Sequence, residues 1–137
     1  MRSPNTIYFG LRGDFDPDDV ARDIDLPPTE AVAKHARSPA RRIPRCALMR
    51  YAQTYADPGE PVLDLDKLAD EVVSKLEPYT AQFAKAIHEH RATATLQVVF
   101  EFPVSDEEST PVLGFSNRVA RFVAATGARI DVDSYRA

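Results

Sequence analysis

The sequence predicts an α+β fold: a two-layer sandwich in which a mostly antiparallel sheet carries helices on one face, related to the ferredoxin-like arrangement. Segments in which apolar and polar residues alternate are typical of strands with one covered face and one polar face. Between them lie segments with apolar residues three and four positions apart, which indicate helices with one buried stripe. The 137 residues, 44% of them hydrophobic, fit a single α+β domain over 1–137.

The first strand and helix follow from local signals at the start of the chain. Asp16 stands at an N-cap position, with Pro17 at the first helical position. Phe15 and Val20 occupy the two positions of a hydrophobic staple. The strand before them is predicted by two alternating sets: Ile7, Phe9 and Leu11 against Tyr8, Gly10 and Arg12.

The region 26–61 is the most irregular part of the chain, because it contains six prolines. Two short extended segments are predicted inside it, at 30–35 and 45–51, and the loop 37–44 between them would make a hairpin with a long tip. In the second segment both alternating sets contain apolar residues, so either face could be the buried one.

Residues 63–91 are predicted to be helical, since Leu65, Leu68, Val72 and Leu76 recur at spacings of three and four. Pro78 lacks a backbone N–H, so either two helices or one bent helix fits. A clear strand follows at 92–102, and then an exposed acidic loop at 105–110.

The last helix and strand are predicted at the end of the sequence. Ser116 is placed to cap the helix, and Gly127 stands where a glycine ends one. The strand 128–135 follows. Its inner set is Ala128, Ile130 and Val132, and its outer set is Arg129, Asp131, Asp133 and Tyr135.

Three stretches, in this order and spacing, carry a resemblance to a known family: GDFDPDDVARDIDLPPTEAVAK, KLEPYTAQF and LGFSNRVARFVAATGARIDVDSY. The chain resembles the bacterial family called domain of unknown function 4279. The resemblance implies a small bacterial α+β domain and supplies no activity. Small bacterial families of this kind often include immunity proteins that neutralise a toxin, which makes an immunity-type inhibitor one hypothesis here.

Charge and cysteine content indicate the compartment and the kind of partner. The net charge is −4, yet residues 31–50 carry six Lys and Arg residues and no acid. This basic segment either pairs with acidic segments of the same fold or meets an acidic partner. One cysteine, no apolar run near 18 residues and no signal-peptide core predict a soluble cytoplasmic protein without a membrane segment.

Residues that could suggest catalysis or metal binding have simpler structural explanations. Asp14, Asp16 and Asp18 resemble the start of a calcium loop, but Asp19 occupies the position that requires glycine. His88 and His90 are two apart, so they diverge on a helix. We therefore expect no catalytic residue, no metal and no cofactor.

The predicted binding surface combines the open sheet face with the arginine loop. We expect a protein partner rather than nucleic acid, because the chain is acidic and few aromatic residues lie near the arginines. The alternative is a small-molecule binder or enzyme that uses the carboxylates of this face. An unpaired edge strand would favour a homodimer. The predicted partner-binding residues are Tyr8, Arg12, Thr95, Gln97, Arg129, Asp131, Asp133, Tyr135, Arg41, Arg42 and Arg45.

Overall fold

A computed structural model of the chain describes residues 5–56, 64–102 and 114–136, with only the backbone of Phe102, Tyr135 and Arg136. The predicted order of strands and helices is confirmed, and the predicted acidic loop at 105–110 lies outside the described residues. The elements are β1 (Thr6–Gly13), α1 (Pro17–Ile24), β2 (Glu30–Val32), β3 (Ala47–Tyr55), α2 (Leu65–Leu76), a 3-10 turn (Glu77–Tyr79), α3 (Thr80–Glu89), β4 (Thr93–Phe102), α4 (Asn117–Thr126) and β5 (Arg129–Arg136).

The five strands form one open mixed sheet in the order β2-β3-β1-β4-β5. The pairs β2–β3, β3–β1 and β1–β4 are antiparallel, and this four-strand order is the split βαβ arrangement of ferredoxin-like folds. The helix α4 then leads to β5, which joins the edge parallel to β4. The predicted α+β class with a mostly antiparallel sheet is confirmed.

Side-chain caps fix where the helices begin, as the sequence predicts. The Asp16 side chain accepts a hydrogen bond from the backbone N–H of Asp18 at 2.9 Å, and Pro17 occupies the first turn of α1. The hydroxyl of Ser116 accepts one from the N–H of Val119 at 3.3 Å. Gly127 ends α4 with a φ of 71°, a conformation that glycine adopts without steric cost.

The core lies between the helices and one face of the sheet. Its buried residues form a single cluster, with an aromatic group at the centre. The ring of Phe83 meets those of Phe9, Tyr51 and Phe122 edge-on, at centroid distances of 5.3, 5.0 and 6.2 Å. The hydroxyl of Tyr51 donates a hydrogen bond to the carbonyl of Leu26 at 2.9 Å, which satisfies this buried polar group.

The structure decides two alternatives that the sequence leaves open. The segment around Pro78 contains two helices, α2 and α3, separated by a 3-10 turn. In β3 the buried set is Ala47, Met49 and Tyr51, so Arg50 lies on the open face of the sheet. The strand is also longer than expected, because it runs on to Tyr55.

The outer strand β5 is more exposed than its inner apolar residues suggest. Ile130 and Val132 pair with the buried residues Leu96 and Val98 of β4, yet they are 36% and 38% exposed. The helix layer packs mainly over β3 and β1, so it does not fully cover the edge.

Candidate functional site

One row of paired residues, which we call the register row, crosses the open face of the sheet. It has one arginine on each side of a glycine. Pairing of the strands aligns Arg50 of β3 with Gly10 of β1, Gly10 with Thr95 of β4, and Thr95 with Arg129 of β5. Because directly paired residues point to the same face, these side chains share one surface. Arg12 lies two residues from Gly10 along β1 and therefore points to that face as well.

The glycine forms the floor of an open depression of about 240 Å³, which we call the Gly10 depression. A residue without a side chain in the central strand exposes backbone that larger neighbours surround. The residues that line it are Tyr8, Gly10, Leu11, Arg12, Leu48, Met49, Arg50, Thr93, Thr95, Gln97, Arg129 and Asp131.

Tyr8 and Arg50 hold each other in place beside the floor. The guanidinium carbon of Arg50 lies 4.5 Å from the centroid of the Tyr8 ring, which is a cation–π contact. A Cβ atom at Gly10 would come within 3.2 Å of the Tyr8 ring. The Tyr8 ring therefore lies close against Gly10. Its contact with Arg50 restrains the Arg50 side chain beside the depression.

The charges around the Gly10 depression are unbalanced. Among the described residues, Arg12, Arg50 and Arg129 form no ion pair. Asp131 supplies the one carboxylate of the lining, and its backbone carbonyl accepts a 3.4 Å hydrogen bond from the Gln97 side chain. The lining thus contains three guanidinium groups and one carboxylate.

Elsewhere on the described surface, Arg22, Arg37 and Arg118 have acidic partners, whereas the loop arginines of the predicted binding set form no ion pair with described residues. Arg118 binds Glu77 through two hydrogen bonds of 3.0 and 2.9 Å, and this pairing lowers the pKa of the Glu77 carboxyl. Glu30 stands beside Arg50 in the register, but its carboxylate accepts from Arg37 at 3.4 Å. The depression is therefore set apart by having three arginines without an ion pair among the described residues around one hollow.

The structure divides the predicted partner-binding residues into three groups. The group that lines the Gly10 depression is Tyr8, Arg12, Thr95, Gln97, Arg129 and Asp131. Asp133 is exposed further along β5, outside the depression, and the side chain of Tyr135 lies outside the described part of the chain. Arg41, Arg42 and Arg45 are exposed in the loop between β2 and β3.

This loop has its own hydrogen bonds, and part of its charge is neutralised by the fold. Ser38 and Ile43 pair as an isolated antiparallel bridge, with N–H to carbonyl distances of 2.9 and 3.0 Å. Lys34 lies 3.1 Å from Asp14 and Arg37 lies 3.4 Å from Glu30. Pairing within the fold therefore accounts for two residues of the basic segment and leaves the predicted loop arginines exposed.

Arg50 is the charged lining residue that the predicted binding set does not contain. It lies in a strand whose two faces both contain apolar residues, so alternation alone did not assign it a side. The signal that could have placed it is its own charge, since an unpaired guanidinium is rarely buried.

Three of the residues that suggested a metal site form contacts within the fold. Asp14 pairs with Lys34, and Asp16 caps α1. The His90 ring lies 2.7 Å from the Asp23 carboxylate, so it joins the end of α3 to α1. Within the described ranges, no group of three or more His, Cys, Asp or Glu residues could hold a metal ion. No helix in those ranges has the length and apolar character needed to cross a membrane.

A second, wider groove of about 710 Å³ lies where α3 and α4 end. It is lined by four alanines and by Ile87, His88, Arg91, Thr126 and Gly127. It contains none of the predicted binding residues.

The fold and the depression define a class of protein: an open ferredoxin-like sheet with helices on one face and an arginine-lined hollow on the other. The chain belongs to the family described as Domain of unknown function (DUF4279), whose sequence model matches residues 3–137. The resemblance noted in the sequence is thereby confirmed for nearly the whole chain. No curated protein and no solved structure matches it.

Proposed function

We propose that the protein is a non-catalytic binding module that engages another protein through the open face of its sheet. The observation that carries this proposal is the set of three arginines around the Gly10 depression, which form no ion pair among the described residues. A folded protein normally pairs such groups or leaves them scattered in solvent. Their convergence from three strands instead suits a partner that supplies the missing acidic groups.

The composition of the surface also supports protein recognition. Tyrosine and arginine are enriched among residues that contribute most to binding energy at protein interfaces. The stacking of Arg50 on Tyr8 reduces the conformational entropy that Arg50 would lose on binding. A shallow, partly ordered surface of this kind needs little rearrangement to accept a partner.

An immunity-type inhibitor is the most concrete form of this proposal, and a toxin would then be the partner. Such an inhibitor acts by covering a surface of its target, so it requires a rigid face and no catalytic groups of its own. A toxin gene beside the gene for this chain would supply the partner for a direct binding measurement.

The alternative is a small-molecule binder, which the hollow shape of the Gly10 depression favours. Its volume of about 240 Å³ lies below the roughly 300–1,000 Å³ of typical ligand pockets. The enzyme form of this alternative requires Asp131, Asp133 and Tyr135 to act together. Asp131 lines the depression and Asp133 does not, so the geometry supports binding better than acid–base chemistry.

The test compares two double variants with the same change in charge. Arg12→Glu with Arg129→Glu alters the open face, whereas Lys75→Glu with Arg121→Glu alters exposed positions on α2 and α4. Each purified protein is immobilised and incubated with lysate of the native cells. Any partner retained is identified and reconstituted in pure form.

We expect the wild type and the helix variant to retain the same partner in stoichiometric amount, and the open-face variant to lose it. Equal retention by both variants would overturn the proposal, as would recovery of no stoichiometric partner by the wild type. Circular dichroism of all three proteins shows whether the variants are folded.

A further inference from the structure

We propose that the Gly10 depression anchors an acidic segment of the partner protein, with Asp or Glu carboxylates bound by Arg12, Arg50 and Arg129. This inference rests on the proposed function and adds the chemistry of the group that is recognised. It follows from the spacing of the arginines, from the excess of positive charge and from the size of the depression.

The spacing favours several carboxylates over one compact anion. Arg50 and Arg129 stand three strands apart in one register row, so their backbones are separated by about 14 Å. Arg12 is two residues from Gly10, which is about 7 Å along β1. Positive charge anchored over such a stretch matches acidic side chains that are themselves spaced along a peptide.

The charge balance requires more than one carboxylate. The lining contains three guanidinium groups and the carboxylate of Asp131, which leaves an excess of two positive charges. Two acidic side chains would neutralise this excess, and each can accept paired hydrogen bonds from an arginine. Asp131 stands two residues from Arg129 on β5 and offsets part of its charge, so the acidic side chains should lie mainly toward Arg50 and Arg12, with Arg129 at the edge of the site.

The floor and the walls allow close approach of a peptide. Gly10 has no side chain of its own, so the Tyr8 ring lies against it and the hollow stays low, and Thr93 and Thr95 offer hydroxyl donors beside it. A hollow of about 240 Å³ admits one or two side chains from a segment that continues outside it.

The same features argue against a nucleotide. Nucleotide and single-stranded nucleic-acid sites stack bases on open aromatic rings. The aromatic residue of the lining is Tyr8, and its ring already carries the Arg50 guanidinium.

The test uses N-acetylated, C-amidated hexaglutamate as the acidic segment and hexaglutamine as its uncharged control. Each peptide is titrated into ¹⁵N-labelled protein at constant ionic strength, and backbone amide shifts are followed by NMR. We expect hexaglutamate to shift the amides of Gly10, Thr95 and Arg129, and added salt to weaken the effect. Hexaglutamine should leave these amides unchanged.

Variants then test the role of the arginines. Arg50→Gln should weaken hexaglutamate binding by roughly tenfold, the effect of losing one charge-assisted hydrogen-bonding group. Arg12→Gln provides a second variant in case the first perturbs Tyr8. Lys75→Gln, on the outer side of α2, should leave the affinity unchanged.

Three results would overturn the inference. The first is no shift at the amides around Gly10, and the second is an affinity that neither arginine variant lowers. The third is inorganic phosphate shifting these amides at matched ionic strength when hexaglutamate does not, which would assign the site to phosphate.

The partner experiment separates this inference from the proposed function. Loss of the partner in the Arg12→Glu, Arg129→Glu protein, without displacement of that partner by hexaglutamate, would refute the acidic segment and leave the open-face function standing. Equal retention by both double variants would refute the function itself.

Discussion

Phe9 and Gly10 are neighbours in β1, and they belong to opposite faces of the sheet with opposite properties. The Phe9 ring is fully buried and packs edge-on against Phe83 and Phe122, at 5.3 and 5.0 Å. Gly10 underlies an open hollow edged by arginines. One alternating strand thus separates two surfaces: the covered face packs the core, and the open face presents the charged groups that we propose for binding.

The two faces also differ in how their polar groups are satisfied. On the covered face, the Tyr51 hydroxyl donates to the Leu26 carbonyl, and burial raises the pKa of this phenol well above its usual value of 10.0. On the open face, the three guanidinium groups of the depression have no ion-pair partner among the described residues. Substitutions should therefore affect stability on one side and binding on the other.

The largest effect is expected from Phe83→Ala, which removes the ring that meets Phe9, Tyr51 and Phe122. Such a cavity should lower the free energy of unfolding by about 3–5 kcal/mol. Urea denaturation followed by circular dichroism measures it. The folded fraction should still bind hexaglutamate as the wild type does. A loss under about 1 kcal/mol would contradict the assignment of this ring to the centre of the core.

Tyr51→Phe should have an intermediate effect, because it keeps the ring and removes one hydroxyl. The Leu26 carbonyl then loses its donor, and the free energy of unfolding should fall by about 1–3 kcal/mol. Tyr55→Phe is the matched control, since Tyr55 is exposed at the end of β3. Equal stability of the two variants in urea would show that the buried hydrogen bond contributes nothing measurable.

The sequence predicted the parts of the fold that depend on residues a few positions apart, and it did not predict the parts that depend on distant contacts. The strand and helix around Asp16 follow from a cap and a first-turn proline a few residues apart, and the structure confirms them. The side chosen by β3 depends on pairing with β1 and on helices distant in sequence. Alternation does not distinguish its two half-apolar faces, and Arg50 was missed because its charge was not used to choose between them.

The candidate site was predictable as a surface but not as a shape. Alternation placed Tyr8, Arg12 and Asp131 on one face, which is where the structure has them. The hollow itself depends on strand order and register, which bring Gly10 between Arg50 and Thr95. The sequence also joined the loop arginines to this surface, and the lining of the depression does not include them.

Arg50→Gln should lower the free energy of unfolding by less than about 1 kcal/mol. The residue is half-buried, contributes a cation–π contact with Tyr8 and forms no ion pair with described residues, so its loss should affect folding little. Its effect should appear in hexaglutamate affinity instead. Parallel urea and NMR titrations measure both. A loss of stability equal to that of Tyr51→Phe would break the division of tasks between the faces.

The smallest effect on stability is expected from Glu77→Gln, which removes the pairing of Glu77 with Arg118 on the outer surface. The hydrogen bond from Arg118 lowers the Glu77 pKa from 4.5, so the folded state favours the ionised carboxyl. The stability that this pairing contributes is fully present above pH 4.5, and it is lost as the pH falls through the lowered pKa of Glu77. Glu77→Gln should therefore flatten the decline of stability in acid.

Glu71→Gln is the control for this measurement, because Glu71 is exposed on α2 and forms no ion pair with described residues. Urea titrations between pH 3 and 7 compare the two variants. Identical acid profiles would show that the pairing of Glu77 with Arg118 does not affect folding.

The walls of the Gly10 depression come from β1, β3, β4 and β5, so they include residues near both ends of the sequence. A partly folded chain cannot assemble them. Occupancy of the hollow should consequently protect the entire protein from proteases, including helices that the bound segment never touches. The abundance of this protein in a cell would then follow the abundance of its partner.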